Sequence, residues 1–274
     1  MKLYISDLDG TLLNDDAKLS DKTVKILNEL IHNGEKITIA TARSIATAKK
    51  ILQPLDINIP VIFLNGIQVY DPILGCYLNS HYLNSETAYC AIELYEKHGF
   101  HPFVYCIDVN KEEKIFYKGV NNNAQQMFMD VRIKTGDKRF TKVASYPDLY
   151  KYNILHINIL ADKSRLELLY KDISLIPHIN IHFYEDVYYK DYFFLDVLNA
   201  SANKQNGLKF LKDLLKPSKV VCFGDNVNDL PLFYESDVKI AVSNAHPLVL
   251  QEADIIIGSN NDDSVAKYIY SDCL

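Results

Sequence analysis

The strongest constraint on this fold is a set of short, almost unbroken apolar runs at residues 3–6, 36–41, 60–66, 192–197, 219–223, 238–242 and 254–258. A strand with one wet face alternates apolar and polar residues. A strand that is apolar throughout is buried on both faces, as in a parallel sheet covered by helices. The spacers carry helix signals. Ser20 is an N-cap residue, Val24, Leu27, Leu30 and Ile31 follow at helical spacing, and Gly34 ends the segment. Ser44 precedes a second such segment near Ile45, and Leu208, Leu211, Leu214 and Leu215 share one side of another. The β-α-β-α-β order of the first 66 residues predicts a parallel sheet with right-handed crossovers.

The pattern changes between residues 82 and 190. There the spacing predicts a helix over 86–98, strands over 103–109 and 114–117, a polar helix over 122–130, a strand over 154–160, a helix over 164–173 and a strand over 179–184. This tyrosine-rich stretch of paired strands reads as an α+β unit with an antiparallel sheet. The expected organisation is one α/β domain, residues 1–81 and 191–274, interrupted by a second domain at 82–190, both within ordinary domain size.

Charge and cysteine content narrow the function classes. The 274-residue chain has a net charge of −6, and its lysines are scattered rather than arranged in a basic stripe, so nucleic acid is not an expected partner. No uncharged run approaches the ~18 residues needed to span a bilayer, and no leader segment is visible, so a cytoplasmic protein without a membrane partner is expected. The five cysteines, Cys76, Cys90, Cys106, Cys222 and Cys273, form no C-x-x-C pair and read as free thiols in a reducing compartment.

Polar clusters follow several of the apolar runs. Asp7 and Asp9 follow the first, Thr41 and Arg43 the second, Lys204 the run at 192–197, and Asp225, Asn228 and Asp229 the run at 219–223. In a parallel sheet the carboxyl ends of the strands share one edge, where ligands bind. Asp7, Asp9 and Asp225 offer hard oxygen ligands suited to Mg²⁺. Lys204 adds a compact positive charge and Thr41 a hydroxyl, and the combination suits a phosphate group. One carboxylate could then attack phosphorus, and a second, two residues away, could shuttle protons. Each motif has a plainer reading. D-x-D-G is an ordinary turn, "GDNVND" a turn with an N-cap, and Lys204 a solvated residue at a helix start. The shared position after strands favours the chemical reading. His182 lies on the strand predicted over 179–184 and His178 directly before it, so the two are not expected to share a helical face as a metal pair. The aromatic stretch 184–196 reads as packing rather than as a base-stacking platform.

"DLDGTLL", "ATARS", Lys204 in "NASANKQNGL" and "GDNVNDLPLF" resemble the four motifs of haloacid dehalogenase-like (HAD) phosphatases. The insertion between the second and third motifs resembles the type C2 cap of the Cof-type subfamily. The resemblance implies a Rossmann-like parallel-sheet core with an inserted α+β cap domain, and Mg²⁺-dependent hydrolysis of a small phosphorylated metabolite (a sugar phosphate, nucleotide or cofactor phosphate). It implies that Asp7 is the nucleophile that becomes aspartyl phosphate and Asp9 the general acid and base. It further implies that the Asp7 carboxylate, the Asp9 main-chain carbonyl and the Asp225 carboxylate bind Mg²⁺, with Asp229 nearby. Thr41, Lys204, Asn228 and main-chain N–H groups near Leu8 and Ala42 would surround the phosphoryl group. Three positions depart from the family pattern: Ala42 and Gln205 stand where glycine is usual, and Ser264 where glycine is common. Two other activities are compatible with the same residues: a phosphotransferase or mutase, and a phospholigand-binding regulator with little catalysis.

Overall fold

The structure is a computed structural model, and it describes residues 1–186 and 189–274; Val187 and Tyr188, inside the aromatic stretch 184–196, lie outside the described residues. The chain divides into two compact units, Met1–Ser80 with Ala202–Leu274, and His81–Ser201.

The chain begins with β1 (Lys2–Ser6), α1 (Asp21–His32), β2 (Lys36–Ile39), α2 (Ile45–Leu52), β3 (Val61–Phe63), β4 (Gln68–Asp71) and β5 (Cys76–Ser80). The inserted unit contains α3 (Ser85–Lys97), β6 (Phe103–Ile107), β7 (Glu113–Tyr117), α4 (Asn123–Lys134), β8 (Phe140–Lys142), β9 (Asn153–Asp162), α5 (Lys163–Ile173), β10 (Ile179–Glu185) and β11 (Tyr192–Asn199). The first unit resumes with α6 (Lys204–Leu215), β12 (Lys219–Gly224), α7 (Leu230–Glu235), β13 (Val238–Val242), α8 (Pro247–Glu252), β14 (Ile255–Ile257) and α9 (Ser264–Cys273).

In the first unit, β14, β13, β12, β1 and β2 form a parallel sheet in that order. Burial on both faces explains why the central strands read as unbroken apolar runs: Leu3, Tyr4 and Ile5 on β1 and Cys222 and Phe223 on β12 are fully buried. Ser20 caps α1 as its sequence predicts, accepting the Thr23 N–H at 2.9 Å. The faces of α1 and α9 meet the same core, through Leu27, Leu30, Ala266 and Ile269.

Two expectations are corrected here. The run at 60–66 is not a full third strand of the parallel sheet. β3 touches β2's extension through a single parallel bridge, Ala40 to Ile62, and then leads an antiparallel sheet with β4 and β5. The chain reverses because Leu64, Asn65 and Gly66 all adopt positive φ (51°, 52° and 97°). The hairpin of β4 and β5 has no counterpart in the sequence reading.

The run at 192–197 does not return the chain to the first unit. β11 pairs antiparallel with both β9 and β10, so the inserted unit extends to Ser201 rather than ending at residue 190. Residues Phe194 to Leu198 are buried, and an antiparallel strand covered on both faces carries the same unbroken apolar signature as a parallel one.

The inserted unit's sheet has the order β10-β11-β9-β6-β7-β8, antiparallel except between β7 and β8. Ile157, Ile159, Leu195 and Val197 share a buried cluster with Ala88, Ile92 and Tyr95 of α3 and with Leu166 and Leu169 of α5. Strand alternation turns Asn158 and Asp196 to the opposite face. β6, β7, α4, β9, α5 and β10 fall where the sequence places them, while β8 is additional. The described cysteines are free, and no described helix is long and apolar enough to cross a membrane.

Candidate active site

Asp7 is the first residue after β1, and its N–H donates to the Phe223 carbonyl on β12 at 2.9 Å. Asp225 follows the end of β12. The adjacency of the two strands therefore brings together carboxylates separated by more than 200 positions in sequence. The D-x-D-G segment is indeed a tight turn, with the Leu8 carbonyl accepting the N–H groups of Leu12 and Leu13. Gly10 has φ +78°, and a Cβ there would lie 2.5 Å from an Asp225 carboxylate oxygen. The turn and chemical readings of this motif thus describe one object: the turn admits no side chain at Gly10, and Asp225 occupies the space. Thr11 donates its hydroxyl to Asp225 at 2.6 Å.

Lys204 opens α6, where Asn203 caps the helix by accepting the Asn206 N–H at 2.8 Å. Its position owes nothing to a core strand, contrary to the sequence expectation. Gly66 (φ +97°) approaches the Asn203 backbone so closely that a Cβ would sit 2.0 Å from the Asn203 carbonyl oxygen. Gln205 leaves the helix start intact and donates to Glu235 at 3.3 Å. The fully buried Lys204 ammonium bonds the carboxylates of Asp7 and Asp229, the latter at 2.6 Å. The other Asp229 oxygen accepts the N–H groups of Asp225 and Asn226, both at 3.0 Å.

Ligand oxygens of Asp7, Asp225 and Asp229 lie within 4.8 Å of one another. Three carboxylates face one ammonium, so with all three ionised the cluster carries two negative charges in excess. Burial, and then the Asp229 carboxylate, push Asp7 well above the usual carboxylate range even against the pull of Lys204. Burial and Asp229 likewise raise Asp225 to about 6. Burial alone would lower Lys204, but Asp229 and Asp7 outweigh it and hold the ammonium charged above its usual value. Uncompensated charge on hard oxygens, gathered at a strand edge, fits a divalent cation with a preference for oxygen ligands.

The other predicted residues are placed as follows. The Asp9 side chain stays out of the cluster: it is half-exposed and takes two bonds from Arg43, at 2.7 Å from Nε and 2.6 Å from Nη2. Thr41 is fully buried at the end of β2, one residue beyond Ala40, whose N–H donates to the Ser6 carbonyl. Its hydroxyl accepts the Arg43 N–H at 3.1 Å. Leu8 buries its side chain, Ala42 is exposed, and Asn228 donates to the Asn65 side chain at 3.2 Å. The site reading omitted Thr11 and Asn65. Thr11 had a signal in its position directly after D-x-D-G, and Asn65 in the Asn-Gly turn that ends an apolar run. The described residues of the metal-ligating cluster include no histidine, and His178 and His182 take no part in it.

The likeness to known proteins extends over the whole chain. The family described as haloacid dehalogenase-like hydrolase matches residues 4–269. The chain is 26% identical to pyridoxal phosphate phosphatase YbhA of Escherichia coli, over 97% of this chain and 96% of that protein. It is 21% identical to 5-amino-6-(5-phospho-D-ribitylamino)uracil phosphatase YitU of Bacillus subtilis, over 97% and 96%. In fold it is similar to the crystal structure of TM0651 from Thermotoga maritima, with a TM-score of 0.78 and 23% identity over 98% of this chain and 96% of that one. With its parallel core, its separate antiparallel insertion and its acidic strand-end cluster, this chain belongs to the haloacid dehalogenase-like hydrolases, among the Cof-type members whose curated relatives are phosphatases.

Proposed function

We propose that the protein is a Mg²⁺-dependent phosphatase that hydrolyses small phosphorylated metabolites through an aspartyl-phosphate intermediate. The observation that carries this reading is the buried cluster of Asp7, Asp225 and Asp229 around Lys204. The Asp7 and Asp225 carboxylates, with the Asp9 carbonyl, would hold Mg²⁺, and Asp229 braces the site by fixing Lys204 and the Asp225 backbone. When bound, the cation offsets the charge of the carboxylates and of the phosphoryl oxygens.

In the first step an Asp7 oxygen bonds to phosphorus as the ester P–O bond breaks, and Asp9 gives its proton to the leaving oxygen. In the second, Asp9 takes a proton from water, the water oxygen bonds to phosphorus, and the bond to Asp7 breaks, returning its carboxylate and releasing phosphate. Asp9 acts in this way once its carboxylate leaves Arg43 and takes up a proton from solvent. Thr41, Lys204, Asn228 and the N–H groups of Leu8 and Ala42 hold the phosphoryl oxygens. We assign the choice of leaving group to the inserted unit, acting as the cap. The names of the two curated relatives, both phosphatases of small phosphorylated compounds, support the substrate class. The free cysteines suit a reducing compartment such as the cytoplasm.

The test is phosphate release from p-nitrophenyl phosphate with Mg²⁺, with and without a chelator, for the wild type and Asp7→Asn. The substitution is expected to lower turnover by at least about 1,000-fold while leaving the fold intact. Near-normal hydrolysis by Asp7→Asn would remove the nucleophile assignment, and indifference to chelation would remove the cation.

A further inference from the structure

Asn65 lies outside the four motifs and has a feature that they lack: it touches two of the loops that carry them. Its backbone N–H donates to the Thr41 carbonyl at 2.9 Å, and its side-chain oxygen accepts from the Asn228 amide at 3.2 Å. It sits in the middle of three consecutive left-handed residues, a conformation that L side chains adopt only when their surroundings hold them there. The surroundings do so on both sides. The Leu64 N–H donates to the Arg43 carbonyl at 3.0 Å, and Gly66 abuts the backbone of Asn203, the residue before Lys204. Asparagine tolerates this backbone and, unlike glycine, also offers a carboxamide.

The contact also constrains Asn228. A free carboxamide rotates about its last torsion, but one whose N–H is engaged is held in one plane. The second hydrogen on that nitrogen is then fixed in direction and available to an anionic oxygen.

We propose that Asn65 is a positioning residue of the phosphoryl site, which aligns the Asn228 carboxamide with the Thr41 loop. The proposal rests on the reading of Thr41 and Asn228 as phosphoryl contacts.

The test compares wild type, Asn65→Gly, Asn228→Ala and the double variant. Glycine keeps the left-handed backbone and removes only the carboxamide. Two quantities are measured: the Kd of inorganic phosphate by calorimetry in the presence of Mg²⁺, and kcat and KM for p-nitrophenyl phosphate. Asn65→Gly is expected to weaken phosphate binding and raise KM by about 5- to 10-fold, with an unchanged circular dichroism spectrum. Asn228→Ala should do the same, and the double variant should be no worse than Asn228→Ala alone. Wild-type phosphate affinity in Asn65→Gly overturns the proposal, as does a double variant whose loss is the product of the two single losses. Should Asn65→Gly not fold, unchanged phosphate affinity in Asn228→Ala overturns it. A wild type that binds phosphate yet hydrolyses no ester refutes the phosphatase reading alone, and the binding data still decide the role of Asn65. A wild type that binds no phosphate refutes both.

Discussion

Asp7 in the first unit and Asp196 in the inserted unit are both buried carboxylates on or beside a central strand, but their company differs. Asp7 meets the Lys204 ammonium and two further carboxylates, Asp225 and Asp229. Among the described residues Asp196 meets only neutral donors, the Asn158 amide and the Tyr184 hydroxyl at 3.2 Å. Burial raises both, and the Asn158 and Tyr184 bonds pull Asp196 back only as far as about 6. Neutral donors offset only part of the loss of hydration, so Asp196 holds a proton more tightly than a free carboxylate. The Asp7 cluster concentrates charge that one lysine does not balance. An excess of this kind is costly for folding alone and becomes useful once a cation is to be bound.

Removing the cation from the first cluster is the most severe way to break the comparison. Lys204→Met leaves Asp7 and Asp229 buried without their ammonium and is expected to cost about 3–5 kcal/mol in urea unfolding without Mg²⁺. Added Mg²⁺ should restore more stability to this variant than to wild type. A cost below about 1 kcal/mol would mean that the cluster sheds its charge by taking up protons, as Asp196 does below about pH 6, and the contrast would vanish.

The second probe is pH. Asp196 has a folded value of about 6 against 3.8 for the free side chain, so the folded state binds the proton more tightly than the unfolded chain. Its destabilising effect is absent below pH 3.8, grows as pH rises, and is complete above about pH 6. Asp196→Asn is therefore expected to remove about 2 kcal/mol of the stability lost between about pH 4.5 and about pH 7.5. Chemical denaturation of wild type and variant at the two pH values measures it, and an identical pH dependence in both proteins would place Asp196 in a charged, well-compensated state.

The third probe removes charge from the comparison. Gln68 on β4 is fully buried, and among the described residues neither end of its carboxamide has a hydrogen-bond partner. Gln68→Met, similar in shape, is expected to stabilise the protein by about 1 kcal/mol, read as a rise in thermal midpoint. Destabilisation would instead reveal a buried water that satisfies the amide.

The sequence was most informative where a local pattern reports a local cause. Ser20 caps α1, apolar runs mark strands covered on both faces, and D-x-D-G marks the turn after β1. It misled where the same signature has two causes. The run at 192–197 records double-sided burial, which β11 meets between β9 and β10 as fully as a core strand would. Asn65-Gly66 marks a turn at the end of the run at 60–66 but not that β3 leaves the parallel sheet for a hairpin sheet, because the left-handed residues of the reversal are held by Thr41, Arg43 and Asn203.

By itself, then, the sequence determined the element types, the α/β class and the aspartates after β1 and β12, since hydrophobic period and turn chemistry act over a few residues. Only the tertiary structure decided that Asp229 and Lys204 are buried partners, that the Asp9 side chain lies with Arg43 outside the cluster, and that Asn65 joins two motif loops. Those contacts link residues from 25 to 197 positions apart, and a chain pattern carries the faces that are buried but not the partner that buries them.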